Sequence, residues 1–359
     1  MVDRSASVRF IADTDYLRWQ NDFPAVTVCE IYSYKRVKRI LTKEFPVFSN
    51  LNYDYSRYIA DLTFGHGSCS RSVCVDCGGI VPCNVPWREV IERVHKSCTE
   101  MLADCQFNGI RFRCCDEFCI VDSTSGPCFS LNGLQNKCSE RGLFVLNRTS
   151  GPGMLSFRLL ADAQVILHSR EEISSVVPQK FKFDIKINSV KHANILFSMK
   201  QIQIGSSLAE EDITVRNCRR SFEIPEEPLH YYHVYSHGSC SLSRRVYKEY
   251  QRCDCVHPIQ AKSLQRTKFG VNDESEQNDC LPSCEESHMS IIYFSKTPYS
   301  GEENMGSLVD VKMSELPTLK YKRMLMRTKL DLVVGGMLGL FFSASILSLV
   351  EIIYLMFRS

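Results

Sequence analysis

The sequence predicts an α+β fold: a large, β-rich, disulfide-stapled extracellular domain joined to one C-terminal transmembrane helix. Three observations lead there. The chain has 359 residues and 18 cysteines, all of them between Cys29 and Cys284. The last stretch is a different material: no residue from Leu332 to Val350 is charged, and IIYLMF follows Glu351. That run is long enough to cross a hydrocarbon core of about 30 Å as a helix. Between these landmarks lie β-branched and alternating segments that read as strands. A hydrophobic content of 44% suffices for a packed core and excludes disorder as the main state. The 43 Lys+Arg nearly balance the 41 Asp+Glu. No basic stripe supplies the charge that nucleic-acid binding needs, so no nucleic-acid partner is expected.

Two rules disagree about which side the cysteines occupy. Lys320, Lys322, Arg323, Arg327 and Lys329 precede the span, and the positive-inside tendency would place them in the cytoplasm. Cysteine density decides for the outside, where disulfides persist, because orientation is usually set by the first span of a chain and not the last. The sequon Asn147-Arg148-Thr149 agrees and makes Asn147 a glycosylation acceptor. Residues 1–329 are therefore expected outside, 330–357 in the membrane and 358–359 as a cytoplasmic stub. The opening stretch MVDRSASVRFIADTDYLRW has no apolar run, so a first membrane helix is expected to be absent from this chain.

The elements follow in order. Phe23-Pro24-Ala25-Val26-Thr27-Val28-Cys29 is a β-branched run that reads as a buried strand. Residues 66–138 hold most of the cysteines and one helix, capped by Asn84 with Pro86 in its first turn. Val90, Ile91, Val94, Cys98, Met101 and Leu102 recur along it at helical spacing. From Met154 to His168, and through Phe181, Phe183, Ile185 and Ile187, apolar residues alternate with polar ones, as in strands with one wet face. Residues 218–284 carry the remaining cysteines and a short helix around Ser243–Tyr250. Helices are thereby confined to two cysteine-dense regions. The string His-Gly-Ser-Cys-Ser occurs at 66–70 and again at 237–241. Nothing around the two copies matches, so it reads as coincidence rather than an internal repeat.

Cys69, Cys74, Cys77 and Cys83 include one CxxC, but a second CxxC or a His pair at the right distance is missing. Disulfides therefore outweigh a zinc site, and no metal is expected. G-x-S-x-G, H-E-x-x-H and P-loop motifs are absent and the nine His are scattered, so neither an enzyme nor a cofactor is expected. In the terminal run, Gly335, Gly336, Gly339 and Ser343 share an arc of about 100° when each residue turns about 100°, a spacing that lets helix backbones approach. Ser345, Ser348 and Glu351 face roughly the opposite way. The plain reading is a membrane anchor in which Glu351 snorkels to the interface. The sharper one is a helix broken around Ser343-Ala344-Ser345. Unpaired backbone at membrane depth survives where it lines a wet cavity, and the freed oxygens are ligands for a partly dehydrated cation.

Leu332–Arg358, with GGMLGLF, the S-A-S triplet and ILSLVEIIY, resembles the second transmembrane helix of the epithelial sodium channel/degenerin family, most closely the insect pickpocket type. FPAVTVCE at 23–30 is similar to the family's segment after its first membrane helix. Cys105-QFNGIRFR-Cys114-Cys115 and Gly126-Pro127-Cys128-Phe129 resemble its finger region, while Cys253-Asp254-Cys255 and Cys280-Leu281-Pro282-Ser283-Cys284 resemble its thumb. The resemblance implies a β-rich palm, a helical finger at about 66–140 and a helical thumb at about 218–300. It implies a trimer, homomeric or heteromeric, of related subunits in the plasma-membrane bilayer, amiloride-sensitive and conducting Na+ as the permeant ion. Ser343, Ala344 and Ser345 would form its selectivity filter. Gly335, Gly336 and Gly339 would serve helix packing and gating, and Glu351 would place negative charge near the inner mouth.

The disulfides implied by the same resemblance are Cys29–Cys128, Cys105 with Cys114 or Cys115, Cys218–Cys284 and Cys240–Cys280. Arg244 and Asn278 stand where the family often has a further thumb pair, so both partners are missing together. Cys253 and Cys255 have no partner in residues 256–279. His66-Gly67 lies in the extracellular part and is not the family's N-terminal His-Gly gating motif. The competing expectation is a single-span, disulfide-rich receptor or adhesion ectodomain that conducts nothing.

Overall fold

In the computed structural model the described residues are 8–13, 20–45, 63–64, 87–123, 125–135, 144–225, 232–253, 280–299, 306–316 and 320–325, with 348, 350, 351 and 353–357 near the C-terminus. The first half runs β1 (Val8–Asp13), β2 (Asn21–Asp22), β3 (Ala25–Glu30), α1 (Tyr34–Glu44), α2 (Trp87–Val94), α3 (Cys98–Met101), β4 (Leu102–Phe107), β5 (Ile110–Arg111), α4 (Cys114–Glu117), β6 (Cys119–Ser123) and β7 (Gly126–Leu131). The second runs β8 (Val145–Leu146), β9 (Met154–Leu159), β10 (Ala163–His168), β11 (Lys182–Ile185), β12 (Val190–Ile204), α5 (Ser206–Ala209), α6 (Ile213–Arg216), α7 (His237–Cys253), β13 (Glu286–Pro298), β14 (Ser307–Met313) and β15 (Lys320–Leu325).

β12 is the spine of an eight-stranded sheet ordered β1-β15-β12-β14-β9-β4-β5, with β13 pairing β12 as well. Its length comes from sustained alternation: Ala193, Ile195, Phe197 and Met199 are buried while their neighbours are only partly covered. One side of β12 takes β13 antiparallel. The other takes β14 and then β15, both parallel, in registers His192↔Leu308 and Gln201↔Lys320. A second sheet, ordered β11-β10-β3-β7-β6, lies beside a small β2–β8 pair. The two large sheets share one core, in which Val26 and Val28 of β3 join Phe157 of β9, Phe197 of β12 and Val311 of β14. Phe23 is fully buried there. Its ring meets Phe107 and Phe197 edge-on, at centroid distances of 5.3 Å and 5.8 Å.

Three expectations about helices are corrected. The single helix expected to run from Val90 through Leu102 is two, α2 and α3, and Leu102 already belongs to β4. The break has a local cause, because the Glu100 carboxylate accepts from both the backbone N–H and the hydroxyl of Ser97 at 2.8 Å and starts a new helix there. The helix expected over Ser243–Tyr250 runs over His237–Cys253. Helices are not confined to the cysteine-dense regions, since α1 buries Val37 and Leu41 between β3 and those regions. Among the described residues no helix is long and apolar enough to cross a membrane. Most of the expected span, residues 330–347, lies outside them, and residues 348, 350, 351 and 353–357 are helical.

Candidate functional site

The disulfides join segments remote in the chain, most of them through buried cysteines. Cys29 of β3 is bonded to Cys128 of β7 across a sequence separation of 99. Cys218–Cys284 and Cys240–Cys280 span 66 and 40 residues. Of the alternatives left open by sequence, Cys105 takes Cys114, and Cys115 takes Cys98 instead. Cys119 is disulfide-bonded too. In the chain-entropy account, bridges of these spans each stabilise by about 3–5 kcal/mol, the longest loops the most. Among the described residues no cluster of His, Cys, Asp and Glu could hold a metal ion. The CxxC at Cys74 and Cys77 lies outside them, as do His66 and Cys255; Cys253 ends α7.

A joint between the second sheet and α7 gathers several polar groups. Ser236 and Ser239 cap the helix reciprocally: the Ser239 N–H donates to Ser236 Oγ at 2.9 Å, and the Ser236 N–H donates to Ser239 Oγ at 2.8 Å. Ser236 Oγ also donates to Glu172 Oε1 at 2.9 Å. A Cβ on Gly238 would sit 2.2 Å from that same carboxylate oxygen, so only glycine lets Glu172 reach the positive end of the helix. Burial pushes the Glu172 carboxyl above its ordinary value despite these donors, and burial likewise raises Glu171. Beside them opens a cleft of about 330 Å³ whose walls include Glu171, Glu172, His237, Glu285, Glu286 and His288. Pro282 and Ser283 of the lining are flanked in sequence by the fully buried Cys218–Cys284 bridge and by Leu281, whose carbonyl accepts from the Tyr235 hydroxyl at 2.5 Å.

A second joint ties α1 and α2 to β3. Glu30 accepts from Arg36 at 2.5 Å and from the Lys96 backbone N–H at 2.9 Å, with the His95 ring 3.6 Å away. Burial pushes Glu30 up, but His95, Arg36 and Lys96 together overcome it and hold the carboxyl below its usual range. Sequence reading found neither joint. The second copy of His-Gly-Ser-Cys-Ser was visible as a string, but the contact of its Gly238 with Glu172 joins residues remote in the chain. For Glu30, the signal was a carboxylate ending a buried β-branched run.

The terminal residues named from sequence divide. Glu351 is exposed on the described helical residues, whose apolar members Leu355, Met356 and Phe357 are also exposed, Phe357 at 90%. Ser343, Ala344, Ser345, Gly335, Gly336 and Gly339 lie outside the described residues. Asn147 sits in a surface turn next to β8. β15, the last described strand before the terminal run, is held on both sides, by β1 and by β12.

No curated protein matches the chain. The family model described as amiloride-sensitive sodium channel matches residues 4–355, which takes in both sheets, every bridge described above and the terminal run. Built of β-rich sheets stapled by disulfides, the chain belongs to the amiloride-sensitive sodium channel family.

Proposed function

We propose that the chain is a subunit of a trimeric, amiloride-sensitive channel of the pickpocket type. In this reading it conducts Na+ across the plasma membrane, with residues 1–329 extracellular and the helix of residues 330–357 lining the pore. The observation that carries the reading is the continuity of the family match from residue 4 to residue 355, through the stapled body and the terminal run alike. Three copies of Ser343-Ala344-Ser345 form the narrow ring, where small side chains permit close approach and oxygens replace the ion's hydration. Gly335, Gly336 and Gly339 let the helices pack and tilt. Glu351 adds a negative charge per subunit at the inner mouth.

The described body supports a route for the gating motion. A rearrangement at the cleft beside α7 reaches β13 and so β12, and β12 pairs with β15, the strand that leads to the pore helix. The test is electrical. Cells expressing the full-length gene product, with related subunits where needed, are expected to carry a sodium current blocked by amiloride. Ser345→Phe should abolish it while surface labelling of the protein persists. A current indifferent to that substitution would refute the pore assignment.

A further inference from the structure

Asn147-Arg148-Thr149 is the single N-x-S/T in the chain. A sequon is a pattern of three residues and occurs by chance, so what the fold does with it decides its worth. Here the fold presents it. Residues 148–150 are exposed at the tip of a tight turn closed by an antiparallel bridge between Asn147 and Gly151. The Gly151 N–H donates to the Asn147 carbonyl at 2.9 Å, and Gly151 has the positive φ that such a reversal requires, with open space around it.

The Asn147 side chain is fixed by its oxygen. Oδ1 accepts from the backbone N–H of Thr149 at 2.9 Å and of Ser150 at 2.8 Å, an Asx turn. A carboxamide is planar. With Oδ1 held against the turn backbone, Nδ2 is directed away from it, and it makes no hydrogen bond among the described residues. The turn itself is anchored, because Asn108 of the β4–β5 hairpin donates through Nδ2 to the Ser150 carbonyl at 3.0 Å and accepts through Oδ1 from the Met154 N–H at 2.8 Å. The reactive nitrogen therefore stands on a rigid base, turned away from the turn backbone beside the exposed residues 148–150.

We propose that Asn147 carries an N-linked glycan on the folded protein. The co-reactant is an oligosaccharide held as a lipid pyrophosphate in the secretory lumen. Asn147 Nδ2 forms the new bond to the anomeric carbon of the first sugar. The bond from that carbon to the pyrophosphate oxygen breaks, the leaving lipid pyrophosphate keeps the electron pair, and one amide proton passes to a base. The folded turn accommodates the product, since the substituted nitrogen gives up no hydrogen bond among the described residues. The glycan then stands at the β5 end of the eight-stranded sheet, on the rim that carries the 74% exposed Ile110. A branched, hydrated chain there keeps that end of the sheet from pairing with another chain.

The inference rests on the extracellular assignment of residues 1–329, and the experiment separates the two. The full chain is expressed in insect cells, and sealed microsomes are treated with protease or with an N-glycosidase after lysis. The expected result is a cysteine-rich body protected from protease and a one-glycan mobility step on deglycosylation. That step is lost in Asn147→Gln and in Thr149→Ala and kept in Thr149→Ser. The exposed Thr149 hydroxyl makes no hydrogen bond among the described residues, so Thr149→Ala is expected to keep the wild-type protease resistance after lysis. A protected body without the step, or a step that survives in Asn147→Gln, overturns the glycan alone. An unprotected body without the step overturns the orientation and the glycan together.

Discussion

Gly238 shows how much one missing methyl group decides. A Cβ there meets Glu172 Oε1 at 2.2 Å and Val176 Cγ2 at 2.5 Å, and moving the carboxylate aside gives up its hydrogen bond from Ser236. Gly238→Val is expected to cost about 1–3 kcal/mol, the usual range for overpacking, seen as a lower urea midpoint of the body. The two buried carboxyls beside it predict a pH dependence of definite sign. Burial raises Glu171 and Glu172 above the ordinary value of 4.5, so the folded state holds their protons more tightly than the unfolded chain does. Their contribution to stability is full below that value and is lost as pH rises through the raised ones. Glu30 runs the other way. Its carboxyl is lowered, so its contribution is present above 4.5 and fades as pH falls through the folded value. Thermal unfolding followed against pH is expected to show a shallower decline above 4.5 in Glu172→Gln, and an unchanged decline would remove Glu172 as its source. At this scale the sequence was legible only in part. The repeated string marked residues 237–241, but the carboxylate that gives Gly238 its purpose sits on the far side of a fold that pattern reading does not close.

Secondary elements were more readable where their cause is local. The β-branched run at 25–30 and the apolar segments at 154–168 are strands as expected, but the wet face expected of the latter is mostly covered, since both sheets bury them against the shared core. The split between α2 and α3 was missed because the apolar spacing carries straight across it. The interruption belongs to one side-chain contact, Glu100 on Ser97, which overrides the period. The bridges on α4 show a similar limit. Adjacent cysteines at 114 and 115 left their partners ambiguous in sequence, and the helical turn resolves them by burying Cys114 in the core and leaving Cys115 at its edge. Cys105 and Cys114 are 2% and 7% exposed, whereas Cys98 and Cys115 are half-buried. Thiol–disulfide exchange needs access, so mild reduction is expected to open Cys98–Cys115 before Cys105–Cys114. Differential alkylation followed by peptide mass analysis checks the order, and simultaneous opening would contradict it.

The whole body behaves as one unit because its two large sheets share a core instead of each closing its own. Phe23 lies where they meet, so Phe23→Ala is expected to cost about 3–5 kcal/mol and to move a single cooperative transition seen by circular dichroism, with no separate melting of either sheet. Cysteine distribution made the β-rich, disulfide-stapled body legible. The order β1-β15-β12 was not, because it joins residues from opposite ends of the chain. That arrangement has a mechanical consequence. β15 lies between an antiparallel neighbour on one side and a parallel neighbour on the other, and in chain order it precedes the terminal helical residues. Tension applied to that helix along the strand therefore loads two ladders of hydrogen bonds in shear, many at once, instead of unzipping them singly from an end. The strand acts as a tendon set in a clamp, stiff to a pull along its axis and able to hand small displacements on without giving way.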